Sequence, residues 1–141
     1  MVKIKFMTKK QVTQLSYDIV GCAITVHKIL GPGLLESVYE KCLKEELEFQ
    51  GFKVENQRKV KLEYRNIQID TDLRLDLIVN DTIIIEIKSV ENLLPVHEAQ
   101  LLTYMSLLEK PQGLLINFYT DNITKSVKPL VNQFFKNLNE S

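Results

Sequence analysis

Cysteine, proline and glycine are sparse in this sequence, at two, four and five residues in 141, and tryptophan is absent. No repeat, linker or low-complexity region is present, so the chain reads as one globular domain, residues 1–141 with a core over about 8–138. Cys22 and Cys42 fall on apolar positions of predicted helices, where a thiol behaves as a small hydrophobe, and neither has a second Cys or a His at zinc-ligand spacing. Free core thiols are expected and a structural zinc site is not. An excess of one charge is also missing. Eighteen basic and eighteen acidic residues cancel, with a sequence pI near 6.7, which excludes a protein whose affinity rests on many phosphate contacts and leaves only local or metal-assisted nucleic-acid binding. No apolar run approaches the roughly 20 residues of a membrane span, and the basic start MVKIKFMTKK is not followed by the apolar stretch of a secretion leader. A cytoplasmic protein without membrane association is the expectation. With 45% hydrophobic and 26% charged residues, such a chain buries roughly two-thirds of its unfolded surface.

What is present is concentrated in Asp76 to Val90, DLIVNDTIIIEIKSV. Ile83, Ile84, Ile85 and Ile87 surround Glu86 and Lys88, and a β-branched run apolar on both sides of the pleat predicts a central, buried strand. Charges are costly there unless paired, hydrogen-bonded or bound to metal. Side chains two apart share a face, so Ile84, Glu86 and Lys88 point one way and Ile83, Ile85 and Ile87 the other. On the preceding strand Arg74, Asp76 and Ile78 group against Leu75, Leu77 and Val79. A two-residue loop at Asn80-Asp81 pairs Asp76 with Ile85 and separates the carboxylates. A three-residue loop over Asn80-Asp81-Thr82, or a bulge, pairs Asp76 with Glu86, and this second register is the expected one.

Upstream, Thr8 to Gln11 fits a capping box, and Val12, Leu15, Ile19, Cys22, Val26 and Ile29 recur at three- and four-residue steps, predicting a long amphipathic helix stopped by Gly31-Pro32-Gly33. His27, near its end, is expected at the surface or against the helix dipole. A second helix is predicted from about Leu34 to Gln50, with Leu35, Val38, Tyr39, Cys42, Leu43 and Leu47 on one apolar arc. Glu36 falls within that arc, whereas Glu40, Glu45 and Glu48 read as solvated; a first-turn glutamate also complements the helix dipole. Lys53 to Tyr64, the turn Arg65-Asn66 and Ile67 to Ile69 predict a meander leading into the strand pair. Asp70 and Asp72 read as solvated acids, with a place at the border of a metal site as the alternative. After a loop from Glu91 to Pro95, Val96 to Leu108 has helical spacing, with His97, Gln100 and Tyr104 on one side beside Leu101 and Leu108, and Leu102 and Met105 extending the apolar surface. Leu114 to Tyr119 predicts a buried strand, Asn122 to Val127 a short edge strand, and Pro129 to Leu138 a closing helix with Val131, Phe134, Phe135 and Leu138 inward.

Opposed on adjacent strands, Asp76 and Glu86 repel, which raises one or both pKa values, and a hard divalent cation removes the penalty. Carboxylate oxygens, a backbone carbonyl and waters form a natural Mg²⁺ environment that leaves positions open for a phosphate oxygen and a water. Lys88, on the same face, can orient or deprotonate that water or stabilise charge developing on phosphorus. Glu36 can hold a metal-bound water. Asp76, Glu86 and Glu36 against Lys88 leave a balance that one divalent ion neutralises. The structural alternative is a buried Glu–Lys–Asp cluster that fixes strand register without catalysis.

Asp76 followed by Glu86-Ile87-Lys88 resembles the D…(D/E)-x-K signature of the PD-(D/E)XK nuclease superfamily, and Gly33-Leu34-Leu35-Glu36-Ser37-Val38-Tyr39 matches the motif of its GxxExxY family. His97-Glu98-Ala99-Gln100 and Leu114-Leu115-Ile116-Asn117-Phe118 are also similar to recurrent segments of that family, so the resemblance covers about residues 12 to 130. Gln100-x-x-x-Tyr104 resembles the helix motif of exonuclease-type members. One departure is Leu75, which stands in place of the nominal proline. The resemblance implies an α/β (α+β) fold with a central mixed β-sheet flanked by helices, a restriction-endonuclease-like core. It implies Asp76, Glu86 and the Ile87 carbonyl as ligands of Mg or Mn, Lys88 as the catalytic lysine, and Glu36, Gln100, Tyr104 and His97 as supporting residues. The expected activity is metal-dependent phosphodiester hydrolysis of nucleic acid, DNA ahead of RNA. A non-catalytic nucleic-acid-binding or protein-interaction module is the alternative, and a homo-oligomer or protein partner is compatible with both.

Overall fold

The computed structural model describes residues 7–141; the first residues of the basic start lie outside it. Helix α1, Lys9–Leu30, begins at the expected capping box: Thr8 Oγ1 accepts the Gln11 N–H at 3.1 Å and Gln11 Oε1 accepts the Thr8 N–H at 2.9 Å. Its next two amides are taken by the chain's far end, Lys9 N–H by Asn139 C=O and Lys10 N–H by Glu140 C=O, so the orphan donors of the helix start are satisfied by tertiary contact. Val12, Leu15, Ile19, Cys22 and Val26 are buried as predicted, but Ile29 is 76% exposed. A stripe averaging 3.5 residues drifts about 20° per heptad around a 3.6-residue helix, and by the last turn it has rotated to the edge of the core. His27 is partly buried and its Nε2 donates to the Thr120 carbonyl at 2.8 Å, so it braces the strand ends and is not a free surface residue.

Helix α2, Glu36–Phe49, buries only Tyr39, Leu43 and Leu47. Leu35, expected in the apolar arc, is the extended residue that precedes the helix, where helical spacing no longer applies, and it is exposed; Val38 is also exposed and Cys42 half-buried. The buried face is therefore a narrow i, i+4, i+8 stripe.

The main sheet has five strands in the order β1 (Val54–Asn56), β4 (Leu77–Val79), β5 (Ile83–Lys88), β6 (Gln112–Asn117) and β7 (Val127–Val131). The isoleucine-rich strand is central, as its two-sided apolar character requires. It runs antiparallel to β4 and parallel to β6, the parallel step being made through helix α3, Pro95–Leu107. This is the expected mixed sheet flanked by helices. Leu77, Val79, Ile83, Ile85 and Ile87 pack with α1 and α2, whereas Ile78, Ile84 and Leu115 pack with Leu101, Tyr104 and Met105 of α3. Leu102, expected to extend that apolar surface, is 39% exposed. Gly113 of β6 permits the close approach of α3: a Cβ there would lie 2.8 Å from Leu101 Cδ1 and Met105 Sδ.

Two predicted elements are corrected at the end of the chain. Ile123–Ser126 is a 3₁₀ turn, not an edge strand, and the segment expected to be helical from Pro129 is strand β7 on the sheet edge, where proline's missing N–H faces outward. Only α4, Gln133–Lys136, is helical, started by Asn132 Oδ1 accepting the Phe135 N–H. Phe135 and Leu138 pack on the core while Val131 and Phe134 are partly exposed. The expected meander is also divided. Strands β2 (Leu62–Tyr64) and β3 (Ile67–Ile69) pair only with each other, around a two-residue turn whose Arg65 and Asn66 both have positive φ.

Candidate metal and catalytic site

The turn between β4 and β5 decides the site. Asn80 and Asp81 take left-handed conformations at φ 50° and 51°, Thr82 N–H closes onto the Val79 carbonyl at 2.9 Å, and Val79 pairs with Ile83. Three residues therefore form the loop, and the register that aligns Leu77 with Ile85 brings Asp76 opposite Glu86. This is the expected register. Each carboxylate takes a backbone N–H from the other strand: Glu86 Oε1 from Asp76 at 3.2 Å, and Asp76 Oδ2 from Ile87 at 2.8 Å.

Glu86 is only 5% exposed. Burial first, and then the neighbouring charge of Asp76, push its pKa up to about 8. Burial raises Asp76 as well, against the Ile87 N–H and a hydrogen bond from Glu86, which hold it down. Burial and mutual repulsion thus favour retention of a proton by the metal-free pair at neutral pH. Lys88, partly buried at the end of the same strand, acts on both carboxylates electrostatically. Among the described residues its ammonium forms no ion pair and no side-chain hydrogen bond. The register-fixing salt bridge considered from sequence is not formed.

The Ile87 peptide edge completes the arrangement. A strand residue directs its N–H and C=O to the same neighbour, and the N–H of Ile87 reaches Asp76, so its carbonyl faces the same side. Beyond Asp76 the β4 chain turns away, Leu75 N–H bonding to the Arg58 carbonyl, and no strand backbone continues opposite Ile87.

Glu36 sits at the start of α2 and its Oε2 accepts the Ser89 N–H at 3.0 Å, while Ser89 Oγ donates to the Leu34 carbonyl at 2.7 Å. The glutamate thus clasps the chain immediately after Lys88. Tyr39, fully buried and stacked on Phe118 at 4.4 Å, donates its hydroxyl hydrogen to the Gly31 carbonyl and accepts the Leu34 N–H. Gly33, at φ 99°, allows the intervening turn. Gly33, Glu36 and Tyr39 therefore form one clasp that fixes the helix start to the end of β5.

On the α3 side, the Tyr104 hydroxyl is raised in pKa by burial and by the charges of Glu86 and Asp76, and the exposed Gln100 side chain approaches it. Tyr104 thus lies within electrostatic reach of the carboxylate pair, with Gln100 beside it. His97 is engaged elsewhere: its Nδ1 accepts the Leu94 N–H at 3.1 Å and closes the first turn of α3. Asp70 is exposed and paired with Lys59, and Asp72 is exposed. Glu40, read as solvated, is instead half-buried, raised in pKa by burial and by Asp76, and bonded by Gln57 Nε2 at 2.7 Å. The backbone of Gln57 also donates to the Asp76 carbonyl at 2.9 Å. Its spacing four residues after Glu36 puts Glu40 on the same helical face and could have revealed it. Asn117, a buried amide at the end of β6, bridges both backbone groups of Val90 and so supports the loop after Lys88.

Among the described residues no three His, Cys, Asp or Glu side chains converge on a common metal position. Two opposed carboxylates and an inward carbonyl are an all-oxygen, incomplete donor set, which fits a hard cation that retains waters and accepts substrate oxygens, and does not fit zinc. Asp76, Glu86 and the Ile87 carbonyl are the atoms that would hold it.

A protein-family model described as the PD-(D/E)XK nuclease superfamily matches residues 13–130, and the chain belongs to that superfamily. Its nucleases generally use divalent metals. Comparison with the curated proteins and with the solved structures gives no match.

Proposed function

We propose that this protein is a Mg²⁺- or Mn²⁺-dependent nuclease of the GxxExxY type that hydrolyses phosphodiesters, DNA ahead of RNA. The observation that carries the reading is the reciprocal Asp76–Glu86 clamp, two carboxylates held together against their repulsion beside an unpaired lysine. A bound divalent cation supplies the charge that offsets that repulsion, polarises the phosphate and favours ionisation of water. Asp76 and Glu86 would hold the cation, and the pair would release its retained proton to solvent when the cation binds. Lys88 places its ammonium against a non-bridging phosphate oxygen, where negative charge grows as water adds to phosphorus. The bond from phosphorus to the leaving sugar oxygen then breaks, the water's proton passes to solvent and the leaving oxygen takes a proton from solvent. Glu36 keeps Lys88 in place through Ser89, while Tyr104 and Gln100 orient the substrate from α3.

Titration of Mn²⁺ into the wild type and Glu86→Gln, following metal binding together with cleavage of single- and double-stranded DNA and of RNA, tests this. Saturable binding and cleavage in the wild type, both lost in the variant, are expected. Absence of metal binding in the wild type sinks the proposal. The small number of side-chain donors favours one alternative, a non-catalytic nucleic-acid-binding module, for which metal binding without cleavage of any polymer would speak.

A further inference from the structure

The antiparallel ladder that contains β1 and β4 does not stop at the site. Past Asp76, Leu75 N–H bonds to Arg58, Lys59 bridges to Arg74, and Val60 N–H bonds to Leu73, after which β2 and β3 pair to the turn at Arg65-Asn66. Because β4 is antiparallel to β5, this continuation leaves the sheet at the end that carries Glu86 and Lys88. The root is firmly seated: Val60 and Leu75 are fully buried with Tyr104 and Leu101 of α3. Beyond it, the ribbon is exposed on both faces. From Lys59 to the tip it extends roughly 20 Å at about 3.3 Å per residue.

Its surface is two-sided in chemistry. Cross-strand partners share a face, so Leu62, Tyr64, Ile67 and Ile69 form an apolar face, on which Tyr64 and Ile67 are 61% and 63% exposed. The chain as a whole is neutral, yet residues 58–74 hold five basic against three acidic side chains. Arg58 and Lys59 are occupied by acids; among the described residues Lys61, Arg65 and Arg74 form no ion pair. The Arg65 guanidinium lies 5.7 Å from the centre of the Tyr64 ring, so the tip offers a cation and an aromatic face together.

We infer that the Leu62–Ile69 ribbon is a nucleic-acid-gripping arm of the candidate nuclease site, with Arg65 and Lys61 on phosphates and Tyr64 and Ile67 against bases or sugars. The inference rests on the proposed function and names the surface that holds its substrate. A two-stranded ribbon matches a major groove about 12 Å wide, and stacking with flanking cations suits an unpaired strand equally. The overall neutrality then ceases to be an objection, since Lys61, Arg65 and Arg74, which form no ion pair among the described residues, lie on the ribbon and its root at the end of the sheet that carries Glu86 and Lys88.

The test is fluorescence anisotropy with a labelled 20-mer as duplex and as single strand, with Ca²⁺ replacing Mg²⁺, for the wild type, Tyr64→Ala and Arg65→Ala. Mn²⁺ affinity and sedimentation are measured in parallel. Both side chains are exposed, so folding and Mn²⁺ affinity should be unchanged. Tyr64→Ala should weaken binding at least about fivefold, and Arg65→Ala should lower the slope of log affinity against log salt by about one. Unchanged affinity in both variants, with the wild type binding, overturns the arm while leaving the nuclease reading intact. A wild-type dimer that the variants dissolve without loss of nucleic-acid affinity assigns the apolar face to a second copy and also overturns it. A wild type that binds neither polymer removes the arm and the function together.

Discussion

Glu86→Gln should stabilise the metal-free protein at pH 8 and flatten its dependence on pH. The carboxyl of Glu86 rises from an ordinary value near 4.5 to about 8 on folding, because it is buried and faces Asp76. Below about pH 4.5 the group is protonated in both the folded and unfolded chains and costs nothing. Between those values the folded chain holds a proton that the unfolded chain has released, so stability falls as pH rises, and above about 8 the full penalty is present. Each pH unit between the two midpoints is worth about 1.4 kcal/mol, which sets the total at no more than about 5 kcal/mol. Asp76, also raised, acts in the same direction. A glutamine preserves the shape, its carbonyl can accept the Asp76 N–H, and its amide can donate to the Asp76 carboxylate. Urea unfolding in EDTA at pH 5, 6.5 and 8 is the assay. The wild type should lose a few kcal/mol across the series and the variant much less. A wild type whose stability rises with pH, or a variant several kcal/mol less stable at pH 8, would refute the reasoning. Either result would mean that Glu86 is ionised and paired in the fold, as in a structural salt bridge.

Lys88→Met should lower kcat by at least about 100-fold while Mn²⁺ affinity, read by calorimetry, stays within about twofold, because Lys88 is not a ligand. Glu36→Gln, which can still accept the Ser89 N–H, should retain most activity, whereas Glu36→Ala should cost about 10- to 100-fold; equal loss in both would mean that the charge of Glu36 acts on the metal directly. Gly113→Ala should destabilise the fold by about 1–3 kcal/mol in urea unfolding, because its Cβ would meet Leu101 and Met105 at 2.8 Å, and should leave Mn²⁺ affinity unchanged.

The central strand was legible because four isoleucines around two charges leave few other positions in a fold, and the carboxylate register followed from the length of a single turn. Helix α1 was legible to its last turn, where the drift of the stripe exposed Ile29. Other features depended on contacts that a wheel or an alternation pattern does not contain. Glu40 lies one turn after Glu36 on the same helical face, but its bond to Gln57, brought in by the pairing of β1 with β4, was not visible in that spacing. His97 shared a helical face with Tyr104, but two turns closer to the helix start its ring is used by an orphan amide. The segment after Pro129 has helical apolar spacing, and the free edge of β6 drew it into the sheet instead.

The position of the site follows from where a ladder divides. Had β4 continued straight beyond Asp76, the N–H and C=O of Ile87 would be consumed by sheet bonds and two facing carboxylates would have no function to offset their repulsion. The chain departs at Gln57, whose φ of 54° bends β1 away, and Leu75 follows it to Arg58. That departure frees the Ile87 peptide edge beside the carboxylate pair and sends the ribbon outward from the end of the sheet that carries Glu86 and Lys88. The binding arm and the oxygen-lined gap are consequences of one bend. Gln57→Gly keeps the bend, because glycine accepts the same φ, while losing the contact to Glu40, and so separates the role of the side chain from that of the backbone path. Loss of metal affinity with the fold retained would trace the site to the Gln57 side chain. Unchanged affinity would trace it to the backbone path alone.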